Sequence, residues 1–272
     1  MDSAARAAQC PSCAQWNTPH APVHVFGNVY VVGTDGLTAV LITSAAGHVL
    51  IDGGLAESAP RILANVRALG FRIEDVKIIL NSHAHFDHAG GIAALQRASG
   101  ARVAATAPSA TVLERGASGP DDPQFPLLPF PAVAGVAVVD DGDTIRIGDV
   151  ALVPHVTAGH TRGGTTWSWR SCDATGRCLS FVYADSQSPI SAPGFRFSSN
   201  TTYASVLEDF AHGLGVIESL PCDVLLTPHP SASRMWERMG TSALVNADAC
   251  REFAAAARQT IAQRVARERA AQ

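Results

Sequence analysis

The chain has a single lysine, Lys77, and only 16% charged residues, against roughly 25% in an average soluble protein. With a net charge of −4 it carries no basic stripe, which excludes tight binding to nucleic acid. No apolar run approaches the ~18–20 residues of a membrane span, so the chain reads as soluble. Residues 1–14 hold no basic segment followed by a hydrophobic one, and no leader is legible there. Gly-x-Ser-x-Gly, Gly-Lys-Ser/Thr and Gly-x-Gly-x-x-Gly are missing, which removes a serine elbow, a phosphate loop and a dinucleotide turn. Collagen-like, low-complexity and coiled-coil patterns are absent too. What remains is 47% hydrophobic over 272 residues, a globular composition able to bury a sizeable core as one large domain or two small ones.

Short Val-, Ile- and Leu-rich runs at 30–32, 39–43 and 48–51, parted by glycine-bearing turns, predict an antiparallel meander. Residues 58–69 have helical spacing, with Pro60 in the first turn and Gly70 as the stop. Residues 76–80 form an apolar strand that runs into Asn81-Ser82-His83-Ala84-His85-Phe86-Asp87-His88, then Gly90-Gly91, a helix at 92–98 and a strand at 103–105. Residues 120–131 carry five prolines among Phe125, Leu127, Leu128 and Phe130, which predicts a loop that packs on or lids something. Further strands are predicted at 144–147, 150–154, 165–170, 179–183 and 224–226, with helices at 205–220 and 243–269. Asp75-Val76 and Asp223-Val224 each open a strand that ends shortly before a histidine, a weak repeat. The organisation expected is an N-terminal arm, 1–24, and one domain, 25–272, of two similar halves (about 25–134 and 135–272).

His83, His85, Asp87 and His88 put three imidazoles and a carboxylate within six residues, just past a buried strand. Histidines two apart on extended backbone point the same way, so His83 and His85 can hold one metal while Asp87 and His88 face a second. Zinc matches this nitrogen-rich set best, with iron and manganese left open. Each metal needs a third protein ligand, and His160 and His229 both follow apolar strands. His20, His24, His48, His155 and His212 read as surface or core residues.

This cluster, with Ile51-Asp52-Gly53-Gly54 before it and Gly159-His160-Thr161 and Pro228-His229 after it, resembles the metallo-β-lactamase superfamily in register and order. The resemblance runs from about Val25 to Pro230. It implies an α/β fold, a four-layer αββα sandwich with a di-metal site at one edge of the two sheets. Within the superfamily, the segment Tyr183-Ala184-Asp185-Ser186-Gln187-Ser188 and the stretch 13–17 with Trp16 resemble subclass B3 zinc β-lactamases. That resemblance implies two zinc ions, one on His83, His85 and His160, the other on Asp87, His88 and His229. It also places Asp185 behind the ligands and turns Ser186 and Ser188 toward the pocket. One departure stands out: Arg162 replaces the proline usual after Gly-His-Thr and puts a cation near His160.

The implied activity is hydrolysis of the β-lactam amide of penicillins, cephalosporins and carbapenems by a hydroxide shared between two zincs, with Asp87 orienting the nucleophile and moving its proton. Ser186 and Ser188 are expected to bind the substrate carboxylate, Arg162 to assist electrostatically, and Gln124 with Trp16 and the 120–131 loop to wall the pocket. A serine β-lactamase is excluded, since its Ser-x-x-Lys motif needs a lysine that Lys77, preceded by Glu74, does not supply. Rival readings are a thioesterase or lactonase on the same fold, a mononuclear-iron oxidoreductase acting on persulfides, and a metal-stabilised binding module. The partner expected is a small molecule, with no membrane and no obligate protein partner. None of the six cysteines lies in a metal motif. Of fifteen possible connectivities, the nearest-neighbour set is proposed: Cys172 with Cys178 across a hairpin turn, Cys222 with Cys250, and Cys10 with Cys13. Disulfides imply an oxidising compartment, hence a periplasmic or secreted enzyme.

Overall fold

A computed structural model describes residues 10–271. Its first sheet has seven strands in sequence order: β1 Val23–Phe26, β2 Val29–Val31, β3 Val40–Ile42, β4 His48–Ile51, β5 Val76–Leu80, β6 Arg102–Ala105 and β7 Val136–Val138. The meander β1 to β4 is antiparallel, while β4 to β7 run parallel because helices carry the chain back between them. The second sheet holds β8 Ile145–Ile147, β9 Val150–Val156, β10 Thr165–Cys172, β11 Cys178–Tyr183 and β12 Val224–Leu226, with β12 added parallel to β11 at the edge.

Side chains that alternate along each strand settle which face meets which layer. Ile42, Ile51, Ile78 and Leu80 pack against Trp167, Phe181, Tyr183 and Leu226 between the sheets. Their neighbours Leu41, Leu50 and Ile79 point the other way, onto Ile62, Val66, Ile92 and Leu95 of the helices Ala59–Ala68 and Ile92–Ser99. Behind the second sheet, Val182 and Leu225 meet Ile217 of the helix Val206–Ser219 and Cys250 of the helix Ala249–Ala270. Burial on both faces explains why the central strands read as unbroken apolar runs. The result is the four-layer αββα sandwich.

Three elements differ from the expected ones, while the proline-rich segment packs as a loop as expected. Residues Val23–Phe26, which straddle the expected boundary between arm and domain, are the edge strand β1. A helix at Ala107–Arg115, with Pro108 tolerated in its first turn, fills a stretch that carried no assignment. The last helix starts at Ala249 and not near 243, because Asn246 turns the chain, accepting a bond from Asp248 N and donating one to the Asp223 carbonyl. In the proline-rich segment Leu128 and Phe130 are buried in the core, while Phe125 stays 41% exposed. The cysteines are bonded Cys10–Cys13, Cys172–Cys178 and Cys222–Cys250, which leaves no free thiol among the described residues.

Candidate active site

The histidine loop leaves the C-terminal end of β5, and a buried carboxylate holds its start. Asp52, just past β4, accepts from Ser82 N (2.8 Å) and Asn81 Nδ2 (3.0 Å) on one oxygen, and from Ser82 Oγ (2.6 Å) and Tyr183 Oη (2.8 Å) on the other. Two glycines then let the loops touch. A Cβ on Gly91 would lie 2.2 Å from the Gly53 carbonyl, and one on Gly53 would lie 2.7 Å from Ile92 N. Gly53 N accordingly reaches the His88 carbonyl at 2.8 Å. The Asp-Gly-Gly and Gly-Gly pairs thus clamp the segment that carries four of the candidate ligands.

His160, between β9 and β10, and His229, after β12, meet that segment from the second sheet. Two groups form side by side, His83 with His85 and His160, and Asp87 with His88 and His229; within each, the ligand atoms lie no more than 4.8 Å apart. In the second group the His88 Nε2 to His229 Nε2 distance is 3.2 Å, and Asp87 Oδ2 is 3.3 Å and 3.2 Å from them. Three corners of a tetrahedron with bonds of about 2.0–2.1 Å would be roughly 3.3 Å apart, so this triangle has the size of a zinc site.

Four of the five imidazoles are tied by the nitrogen facing away from their group. His83 Nδ1 bonds Asp185 Oδ1 (2.7 Å), His85 Nε2 bonds Asp122 Oδ2 (2.8 Å), His160 Nδ1 bonds the Ser188 carbonyl (2.9 Å) and His229 Nδ1 bonds the Gly36 carbonyl (3.2 Å). Such outer partners set the tautomer and aim the remaining nitrogen. The nitrogen so aimed on His83, Nε2, is buried with no hydrogen-bond partner in the protein, which fits a metal ligand.

Electrostatics agree with this donor set. Burial, reinforced by the neighbouring imidazoles, holds His83 well below its ordinary pKa and His160 down to about 3, so both stay neutral ligands. Burial opposes ionisation of Asp87, but the His88 charge and hydrogen bonds from His229 and His88 prevail and keep the carboxyl well below its usual range. For His83, His160 and Asp87 these directions favour metal over protons, while at His88 the Asp87 charge and hydrogen bond outweigh burial and raise the imidazole, so that a metal ion must displace its proton.

Sequence and fold comparisons point one way. The family described as the metallo-beta-lactamase superfamily matches residues 25–174. The solved Rm3 metallo-beta-lactamase is 51% identical, with a TM-score of 0.93 over 96% of this chain and 99% of that one. The chain belongs to the metallo-beta-lactamase superfamily. MEM-A1, a subclass B3 metallo-beta-lactamase from a soil metagenome library, is similar at 43% identity and a TM-score of 0.92, over 94% of this chain and 100% of its own. The metallo-beta-lactamase MIM-1 from Novosphingobium pentaromativorans is 44% identical, with a TM-score of 0.88 over 96% and 98% of the two chains.

Around this metallo-beta-lactamase site, a cavity of about 240 Å³ is lined by Trp16, Gln124, Ser186, Ser188 and four of the candidate ligands, His85, Asp87, His160 and His229, with Leu127 from the proline-rich segment. Gln124 Nε2 stands 3.3 Å from His160 Nε2. Arg162, expected beside the substrate, lies outside this cavity. Its guanidinium bonds Asp121 Oδ2 (2.9 Å) and the Thr202 carbonyl (2.9 Å) and stacks 4.2 Å over the Tyr203 ring, so it joins two surface loops. Asp122 escaped the sequence reading, since nothing in a proline-rich loop signals a bond to an imidazole 37 residues away.

Asp185 supports His83 from below and is fully buried, and burial pushes its own carboxyl well up. Replacing it tests that support. Asp185→Asn keeps an acceptor and is expected to weaken zinc affinity about tenfold, Asp185→Ala about 100-fold, in competition with a zinc-sensitive dye. Wild-type affinity in the alanine variant would refute the support.

Proposed function

We propose that this metallo-beta-lactamase opens the β-lactam amide of penicillins, cephalosporins and carbapenems, using two zinc ions, and so confers resistance to them. The observation that carries the reading is the pair of adjoining three-ligand groups, both reaching one cavity, with the Asp87, His88 and His229 triangle sized for a tetrahedral ion. Zinc ions held there supply a water nucleophile ionised at neutral pH and polarise the lactam carbonyl. The protein's own part is positional and acid–base. Asp87, kept ionised among imidazoles, orients the attacking water, takes its proton and returns it to the lactam nitrogen as the C–N bond breaks. Ser186 and Ser188, on the cavity wall, donate to the substrate carboxylate, and Gln124 and Trp16 confine the bicyclic nucleus. Asp185 Oδ1 is engaged by His83 Nδ1, which favours a β-lactamase over hydrolases in which this aspartate bridges the metals.

Three disulfides support an oxidising compartment, periplasmic or extracellular. No helix among the described residues is long and apolar enough to cross a membrane.

A chromogenic cephalosporin and a carbapenem test the proposal. Both should be hydrolysed, activity should vanish on thorough chelation, and it should return with about two zincs per chain. Activity that survives chelation would overturn the mechanism. Cleavage of a glutathione thioester or an acyl-homoserine lactone without cephalosporin cleavage would overturn the substrate class.

A further inference from the structure

The catalytic cavity does not end at the serines. A second, larger space of about 410 Å³ adjoins it and shares Trp16, Ser186, Ser188, Ile190 and His229 as common wall. Its floor comes from the helix Ala249–Ala270, through Phe253, Ala256, Ala257 and Thr260. No aspartate, glutamate, lysine or arginine lines it. Phe253 packs one side on the cluster around Val182 and Leu225, and Ala257 on the cluster around Phe210 and Ile261, so the floor is preformed. The catalytic cavity by itself, at about 240 Å³, is small, because drug-sized molecules bury most of their surface in roughly 300–1,000 Å³.

We propose that this groove is a specificity subsite for an uncharged, apolar, preferably aromatic substituent on the substrate ring that bears the carboxylate. The inference rests on the β-lactamase reading and deepens it. With the lactam carbonyl over the ligand groups and the carboxylate at Ser186 and Ser188, the next ring substituent has to continue past the serines, where the groove begins. An apolar group gains there by leaving water. A cationic substituent loses hydration and meets no counter-charge. The exposed Ile190 side chain, at 56%, forms the shared rim and loses apolar exposure when the groove fills.

The test uses three cephalosporins with one acyl side chain, carrying methyl, an uncharged arylthiomethyl or a pyridiniummethyl group beside the carboxylate. For the zinc-loaded wild-type enzyme, the aryl substrate is expected to have a KM about tenfold below the methyl one, with the pyridinium substrate close to methyl. Tenfold, about 1.4 kcal/mol, corresponds to roughly 55 Å² of apolar surface removed from water, well within reach of one ring. Ala256→Phe from the helix and Ala232→Phe from the turn after His229 both fill the groove from exposed positions. Each should abolish the aryl advantage and leave methyl turnover unchanged, which also reports that the variants fold. Calorimetric titration with the hydrolysed products of a methyl and a styryl cephalosporin, whose carbon-linked substituents are not expelled when the lactam opens, should show the styryl product binding more tightly, with the more negative ΔCp, only in the wild type. Equal KM values for methyl and aryl, or an aryl advantage that survives both variants, overturns the subsite and leaves the β-lactamase reading standing. Hydrolysis of none of the three overturns both.

Discussion

Asp87→Ala is expected to lower kcat/KM for a cephalosporin by at least about 10³-fold and to reduce the zinc content from about two to about one per chain. The two effects have one origin. Asp87 Oδ2 is the third corner of the triangle with His88 and His229, at 3.3 Å and 3.2 Å, and it is the only carboxylate in either ligand group. Without it, two imidazoles remain to hold the second ion, and the acid–base group that moves a proton to the leaving nitrogen is gone; loss of such a group alone costs roughly 10²–10⁴-fold. His83, His85 and His160 keep their own outer partners in this variant, so the first ion should remain. Parallel measurement of steady-state kinetics and metal content decides the matter. A variant that keeps two zincs and loses less than tenfold in kcat/KM would remove Asp87 from both roles.

Asp52→Ala should be the most destabilising of the single changes considered, by about 4 kcal/mol, seen as a fall in Tm of roughly 10 °C for a domain of this size. Asp52 is fully buried, so its charge carries a desolvation cost, and burial raises its carboxyl above the usual range against the His88 charge and the bonds from Ser82 and Tyr183. Alanine relieves that cost but strands Ser82 N and removes the strong acceptor of Ser82 Oγ, leaves Asn81 Nδ2 only its 2.8 Å bond to the His83 carbonyl, and leaves Tyr183 Oη only a 3.3 Å contact with the Thr38 carbonyl. Position 52 also has a φ of 62°, which aspartate tolerates better than alanine. Asp52→Asn, which retains one acceptor oxygen, should fall about half as far. A fall of less than about 1 kcal/mol in the alanine variant would show that the loop does not depend on this carboxylate.

What the sequence disclosed follows how local the cause is. His83 and His85 are legible because a period-two pattern on extended backbone at a strand end aims them together, whereas Asp87 and His88 turn to their own group on the short helix Phe86–Ala89, which the extended reading did not anticipate. His160 and His229 were legible because each follows an apolar strand, which places both at the same sheet edges. Long-range partners were not legible in the same way. Asp122 reaches His85 from a loop shaped by prolines, and Arg162 turns from the site because Asp121, Thr202 and Tyr203 hold it elsewhere. The helix at Ala107–Arg115 was hidden by Pro108, and strand β1 by its position at the edge of the first sheet. The apolar groove depends on how the last helix lies against the turn after His229, a packing relation that periodicity does not encode.

Each ligand group draws on both sheets, with His83, His85, Asp87 and His88 from the first and His160 and His229 from the second. His88 and His229 are 141 residues apart along the chain. Neither group can assemble until the two halves of the sandwich have docked, so an ion bound at full coordination is also a bolt through the inter-sheet core. Thermodynamic linkage then sets its worth: an ion that binds only the docked state adds about 2.7 kcal/mol at a free concentration 100 times its Kd. Metal supply in the surrounding medium therefore acts on the lifetime of the folded enzyme as well as on its turnover.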